Sequence, residues 1–80
     1  MQKNKIGVVK WFDIKKGHGF INELNPLDFS LIEMVDYFVH HTVIESEDDF
    51  KLLRNGELVQ FQCEKTSKGY KAILVTKYVH

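Results

Sequence analysis

Two segments of this chain concentrate flat rings and cations. Trp11, Phe12 and Phe20 lie with Lys10, Lys16 and His18 in the first, and Phe38 lies with His40 and His41 in the second. Both segments are rich in β-branched and aromatic residues and read as extended chain. Rings interleaved with lysines suit the bases and phosphates of a single-stranded nucleic acid. An unpaired base offers a π-face that gains about 1–3 kcal/mol on an aromatic side chain, while ammonium groups neutralise the phosphates between bases. A duplex hides those faces. The competing assignment is that the rings pack across strands, but the core of an 80-residue chain is too small for all of them. Trp11 and Phe12 are adjacent, so both can face water only across a bulge or a strong twist.

Other chemistries find less support. His40 and His41 are consecutive and are expected to face opposite sides of a strand, and no carboxylate or thiol spacing completes a ligand set, so no metal is expected. Phosphate-cradling glycine loops and nucleophile motifs are absent, so neither a cofactor nor catalysis is expected. So short a chain also has little left over to shield a catalytic pocket. The single cysteine, Cys63, cannot form an intrachain bridge and fits a reducing cytoplasm. MQKNKIGVVKWF lacks the apolar run of a signal peptide, and no stretch reaches the roughly 18 apolar residues of a spanning helix, so a cytoplasmic protein is expected.

The elements that must position these side chains follow from alternation. Strands are predicted over Lys5–Asp13, Gly17–Glu23, Asp36–His41, Glu57–Lys65 and Tyr70–Tyr78, with hairpin turns at IKKG and TSKG. Five short strands in one domain spanning residues 1–80 predict an all-β, five-stranded antiparallel barrel of the oligonucleotide-binding (OB-fold) kind. Gly17, Gly19 and Ile21 share one face of the second strand, and glycines on the concave side let a strand coil into a barrel. Lys16, His18 and Phe20 then take the wet side, joined by Phe38 and His40 if Val39 points inward. Val59, Phe61, Cys63, Ile73 and Val75 are expected in the core, with Cys63 an inert thiol.

The zero net charge conceals separated patches. Residues 1–21 are basic, with five lysines against Asp13; residues 22–50 hold eight carboxylates and no Lys or Arg; the last thirty are basic again. Such separation suits a polyanion-binding surface beside an acidic one, although ordinary solvated surface is the better account of charge alone.

KWFDIKKGHGFI resembles the first ribonucleoprotein motif of the cold-shock domain family, and DYFVHHTVI resembles the second. Motif order, the later Phe50 and the closing AILVTK agree, so the resemblance runs from about Ile6 to Lys77. It implies a non-enzymatic barrel that binds single-stranded RNA or DNA, as an RNA chaperone or in control of transcription or translation. Carried over by position, the binding residues would be Lys10, Trp11, Phe12, Lys16, His18, Phe20, Phe38, His40, His41 and Phe50.

His18 and His41 stand where the family usually has larger aromatic side chains. Imidazole stacks over less area but gains a phosphate-attracting charge near its ordinary pKa of about 6.5. LNPLDFSLIEMV makes the connection between strands 2 and 3 longer than in the family. Asn25, Pro26 and Asp28 resemble a helix start, with Leu27, Leu31 and Met34 along one side. The segment is expected to pack on its own barrel, with Leu74 one surface it could cover. The alternative function is a protein-interaction module using the acidic middle and this apolar insertion. A monomer is expected, with a strand-exchanged dimer as the alternative. Tyr37, large for an inward position, must send its hydroxyl to a polar partner or the rim.

Overall fold

The structure, a computed structural model, describes residues 4–45 and 52–78, including every side chain there except those of Glu33 and Met34. Five strands form a closed barrel: β1 (Lys5–Asp13), β2 (His18–Leu24), β3 (Leu31–His40), β4 (Leu58–Thr66) and β5 (Gly69–Lys77), in the spatial order β1-β2-β3-β5-β4. β1 and β2, β2 and β3, β4 and β5, and β1 and β4 pair antiparallel; closure between β3 and β5 is parallel, through Phe38 opposite Lys71. A single 3-10 turn (His41–Val43) follows β3.

Alternation fills the interior as the sequence predicts for Ile21, Val39, Val59, Phe61 and Val75, and Val9 of β1 joins them, all 1% exposed or less. Ile44 and Leu53, from the link between β3 and β4, join that core. Gly19 faces inward and lies so close to β1 that a Cβ there would run into the Trp11 carbonyl oxygen and sit 2.8 Å from Phe12 Cα. The barrel closes around that missing side chain.

Two bulges change which residues face inward. In β1, Val9 pairs with Ile21 and Trp11 with Phe20, leaving Lys10 as the extra residue. Lys10 and Trp11 therefore both face water while Phe12 turns inward, 9% exposed within the core cluster. In β5, Gln60 pairs with Thr76 but Gln62 with Ile73, an irregularity that coincides with Leu74 at φ 51°. Ala72 and Val75 point inward across it, so Ile73 is only partly buried, contrary to simple alternation. Cys63 is likewise half-buried at the edge of the core rather than sealed within it.

The insertion is not helical. Pro26–Asp28 form a turn, and β3 starts at Leu31, five residues before the predicted Asp36, because Leu31 and Ile32 pair with Leu24 and Glu23. The segment extends the β2–β3 hairpin instead of covering the barrel. Leu27, Phe29, Leu31 and Ile32 stay exposed, as does Leu74.

Candidate nucleic-acid interface

Cross-strand register assembles the ring-bearing face. The β1 bulge sets Trp11 opposite Phe20, and the β2–β3 ladder sets Phe20 opposite Phe38 and His18 opposite His40. Ring centroids lie 5.4 Å apart for Trp11 and Phe20, 5.8 Å for Phe20 and Phe38, and 5.6 Å for His18 and Phe38. The first two contacts are edge-on, a preferred geometry that holds side chains in place while leaving ring surface uncovered. Trp11 is 38% exposed, and His18, Phe20, Phe38 and His40 are half-buried.

His18, His40 and His41 gather at one end. His41 opens the 3-10 turn, and its N–H donates to the Gly17 carbonyl at 2.8 Å. Gly17 adopts φ 71°, and a Cβ there would meet the His41 ring, so glycine is needed for both backbone and space. The His40 and His41 rings are 4.4 Å apart, not on opposite faces, because the chain leaves the strand between them. His40 Nδ1 lies 2.9 Å from Thr42 Oγ1 and 3.3 Å from the Thr42 N–H, which ties the ring to the turn.

At the other end a groove of about 520 Å³ runs from Phe20 and Phe38 to the β4–β5 turn, where Lys68, Gly69, Tyr70 and Lys71 line it. Tyr70 is 39% exposed, and its ring centroid is 5.8 Å from that of Tyr37. Tyr37 is buried, its ring 5.0 Å from Phe61, so the groove rests on the core. The Tyr37 hydroxyl donates to Glu23 Oε1 at 3.0 Å, and Lys5 pairs with the same carboxylate at 3.3 Å. Burial first, and then the Glu23 carboxylate, push the phenol well above its ordinary pKa. It stays a neutral donor, and Glu23 is the polar partner that the sequence required.

Lys10 pairs with Asp36 at 3.2 Å, and Asn22 donates to the other oxygen of that carboxylate at 2.6 Å. Both partners of the ion pair are about half exposed, and such pairs contribute about 0–1 kcal/mol, so a phosphate can displace Asp36 from Lys10 at little cost. Lys71 pairs with Glu64 at 2.9 Å. Among the described residues no ion pair engages Lys16 or Lys68.

Eight of the sequence-predicted binding residues, Lys10, Trp11, Lys16, His18, Phe20, Phe38, His40 and His41, thus fall on β1–β3 and their connections. Phe12 is a correction: it packs in the core and offers no stacking surface. Phe50 lies outside the described residues. Lys68, Tyr70 and Lys71 escape the sequence reading, although a cation and a ring together in the turn TSKGYK are a usable signal.

The family model of the 'Cold-shock' DNA-binding domain matches residues 5–78. Cold shock protein CapA of Pseudomonas fragi is 43% identical over 72 residues, which cover 90% of this chain and 100% of that protein. Protein lin-28 homolog B of Homo sapiens is 41% identical over 70 residues, 88% of this chain and 28% of that one. For protein lin-28 homolog A of Danio rerio the identity is 37%, over 88% of this chain and 34% of that one. The chain thus spans about a third of the length of these lin-28 relatives. The solved structure of drosophila Unr CSD456 shares the fold, with a TM-score of 0.67 and 16% identity over 98% of this chain and 28% of that one. The family match runs from the first residue of β1 to just past the end of β5 and takes in the barrel together with its ring-bearing face, so this chain belongs to the cold-shock domain family.

Proposed function

We infer that this domain binds single-stranded RNA or DNA without catalysing a reaction, and serves as an RNA chaperone or as a regulator of transcription or translation. Trp11, Phe20, Phe38 and Tyr70 stack bases, with His18, His40 and His41 giving smaller platforms. Lys10, Lys16 and Lys68 take the phosphates. The observation that carries this reading is the set of contacting rings from Trp11 through Phe20 to Phe38, open to water and continuous with the groove at Tyr70. Membership of the cold-shock family supports it. Every base has a π-face, so sequence preference is modest. The free Cys63 supports a cytoplasmic setting. Among the described residues no helix is long and apolar enough to cross a membrane.

The test is a titration of labelled oligouridine against its duplex with oligoadenosine, repeated across salt. With two to four phosphates neutralised, the logarithm of affinity should fall with that of salt at a slope of about −1.4 to −2.8 for the single strand. A slope near −6, or equal binding of the duplex, would mark an electrostatic binder that does not use the rings.

Acidification should tighten binding. Imidazolium attracts phosphate, so binding takes up protons and affinity rises as pH falls from about 7.5 to 5.5. The effect should vanish when His18, His40 and His41 are replaced together by glutamine. Equal affinity of the unaltered protein at both pH values would remove the histidines from phosphate contact.

A second reading, a protein-docking role for the insertion, is favoured by one observation: Leu27 is 93% exposed at the hairpin tip.

A further inference from the structure

Tyr37 is the one residue of the described buried core that carries a polar side-chain atom. A buried phenol must find a partner, and this one reaches across two strands to do so. Its hydroxyl donates to Glu23 of β2 at 3.0 Å, and Glu23 pairs with Lys5 of β1 at 3.3 Å. The ring itself packs 5.0 Å from Phe61 of β4. Tyr37 is thus held at its tip and along its side, and its ring has little freedom to tilt or slide.

What this anchoring fixes lies across the closure of the barrel. Phe38 stands opposite Lys71 there, and the residues before them, Tyr37 and Tyr70, meet with ring centroids 5.8 Å apart and planes at 59°. A tilted contact leaves ring surface uncovered, and Tyr70, 39% exposed, lines the groove that it shares with Phe38 and Lys68. The turn before Tyr70 is ordered as well: Thr66 Oγ1 accepts the Lys68 N–H at 3.2 Å and donates to the Gly69 carbonyl at 2.8 Å. A ring that is already held keeps the stacking energy that a mobile ring would lose to ordering. We propose that Tyr37 is a positioning residue for nucleic-acid binding: anchored by Glu23 and Lys5, it holds Tyr70 as a preformed platform, so that the groove between Phe38 and Tyr70 takes one further unpaired base, with its phosphate at Lys68. This rests on the base-stacking function inferred above and extends it. Tyr37 is buried and meets no base itself, so it matters only to a strand long enough to reach the groove.

The test is the affinity of the whole chain for oligouridines of about three to eight nucleotides, read by Trp11 fluorescence. Tyr70→Ala should match the parent on the shortest strands and bind the longest about 5- to 150-fold more weakly, the loss of one stacked base. Tyr37→Leu removes the supporting ring and should show a loss confined to the same long strands. Adding it to Tyr70→Ala should cost nothing more, because Tyr37 acts through Tyr70. Tyr37→Phe keeps the ring but not the tie to Glu23, and on the longest strands it should fall between the parent and Tyr37→Leu. It also carries the test if Tyr37→Leu does not fold. A purely structural Tyr37 would instead weaken every length equally. That result, parent-like binding of long strands by Tyr70→Ala or Tyr37→Phe, or additive losses in the double variant would each overturn the proposal. Failure of the parent to bind any length would remove the base-stacking function itself, and the proposal with it.

Discussion

Replacing Phe38 by alanine is expected to weaken single-strand binding about 5- to 150-fold, the equivalent of about 1–3 kcal/mol for one lost stacking platform. Phe20→Ala should behave alike. Each ring is central to the face: Phe38 contacts both Phe20 and His18, and Phe20 contacts both Trp11 and Phe38. Both rings are half-buried, so each variant loses some folding stability, about 1–2 kcal/mol, against the roughly 3–5 kcal/mol of a fully buried phenylalanine. A domain of this length has about 4–12 kcal/mol in total, so both variants should stay folded and their binding loss is readable. Phe61→Ala is the contrasting control. Its ring is fully buried against Tyr37, and its loss should impair folding first. Calorimetry on the same preparations separates the two effects. Full binding by folded Phe38→Ala and Phe20→Ala would show that these rings serve packing alone.

Gly19→Ala is expected to cost about 3 kcal/mol or more, a large fraction of the domain's stability. The cause is contact rather than conformation. The added Cβ would meet backbone atoms of Trp11 and Phe12, which no rotamer change can move aside. Separating β1 from β2 at that point would also undo the register that sets Trp11 opposite Phe20. Gly56→Ala supplies the comparison. Gly56 adopts φ 82° with open space around it, so alanine there meets only the backbone penalty of about 1 kcal/mol. Urea denaturation of both variants checks the order. A Gly19→Ala protein as stable as the parent would contradict the close approach of β1 and β2.

Alternation made the bounds of β1 legible to the residue, and those of β2, β4 and β5 to within one residue, although bulges in β1 and β5 break the pattern of buried faces. The start of β3 was hidden because Leu27, Leu31 and Met34 fit one side of a helix. The outcome was decided by distant partners, Leu24 and Glu23, which claim Leu31 and Ile32 for the hairpin. Phe12 shows a different limit. Its neighbour Trp11 required a bulge, but the sequence does not place it, and with Lys10 as the extra residue Trp11 faces out and Phe12 in. The β5 irregularity likewise moves Ile73 off the core and brings Ala72 in. Ile44 and Leu53 lie in irregular chain, where no period marks them as interior. The groove at Tyr70 was missed because TSKGYK reads as turn chemistry, while its part in the site depends on β5 closing the barrel against β3 at Phe38.

Fluorescence of Trp11, the single tryptophan, tests the central claim most directly. Its ring lies on the proposed face, 38% exposed and in contact with Phe20. Titration with oligouridine or oligothymidine should quench its emission saturably as a base stacks against the indole, and the same sequence held in a duplex should leave the emission nearly unchanged. Unchanged emission with the single strand, or equal quenching by the duplex, would contradict recognition of unpaired bases by this face.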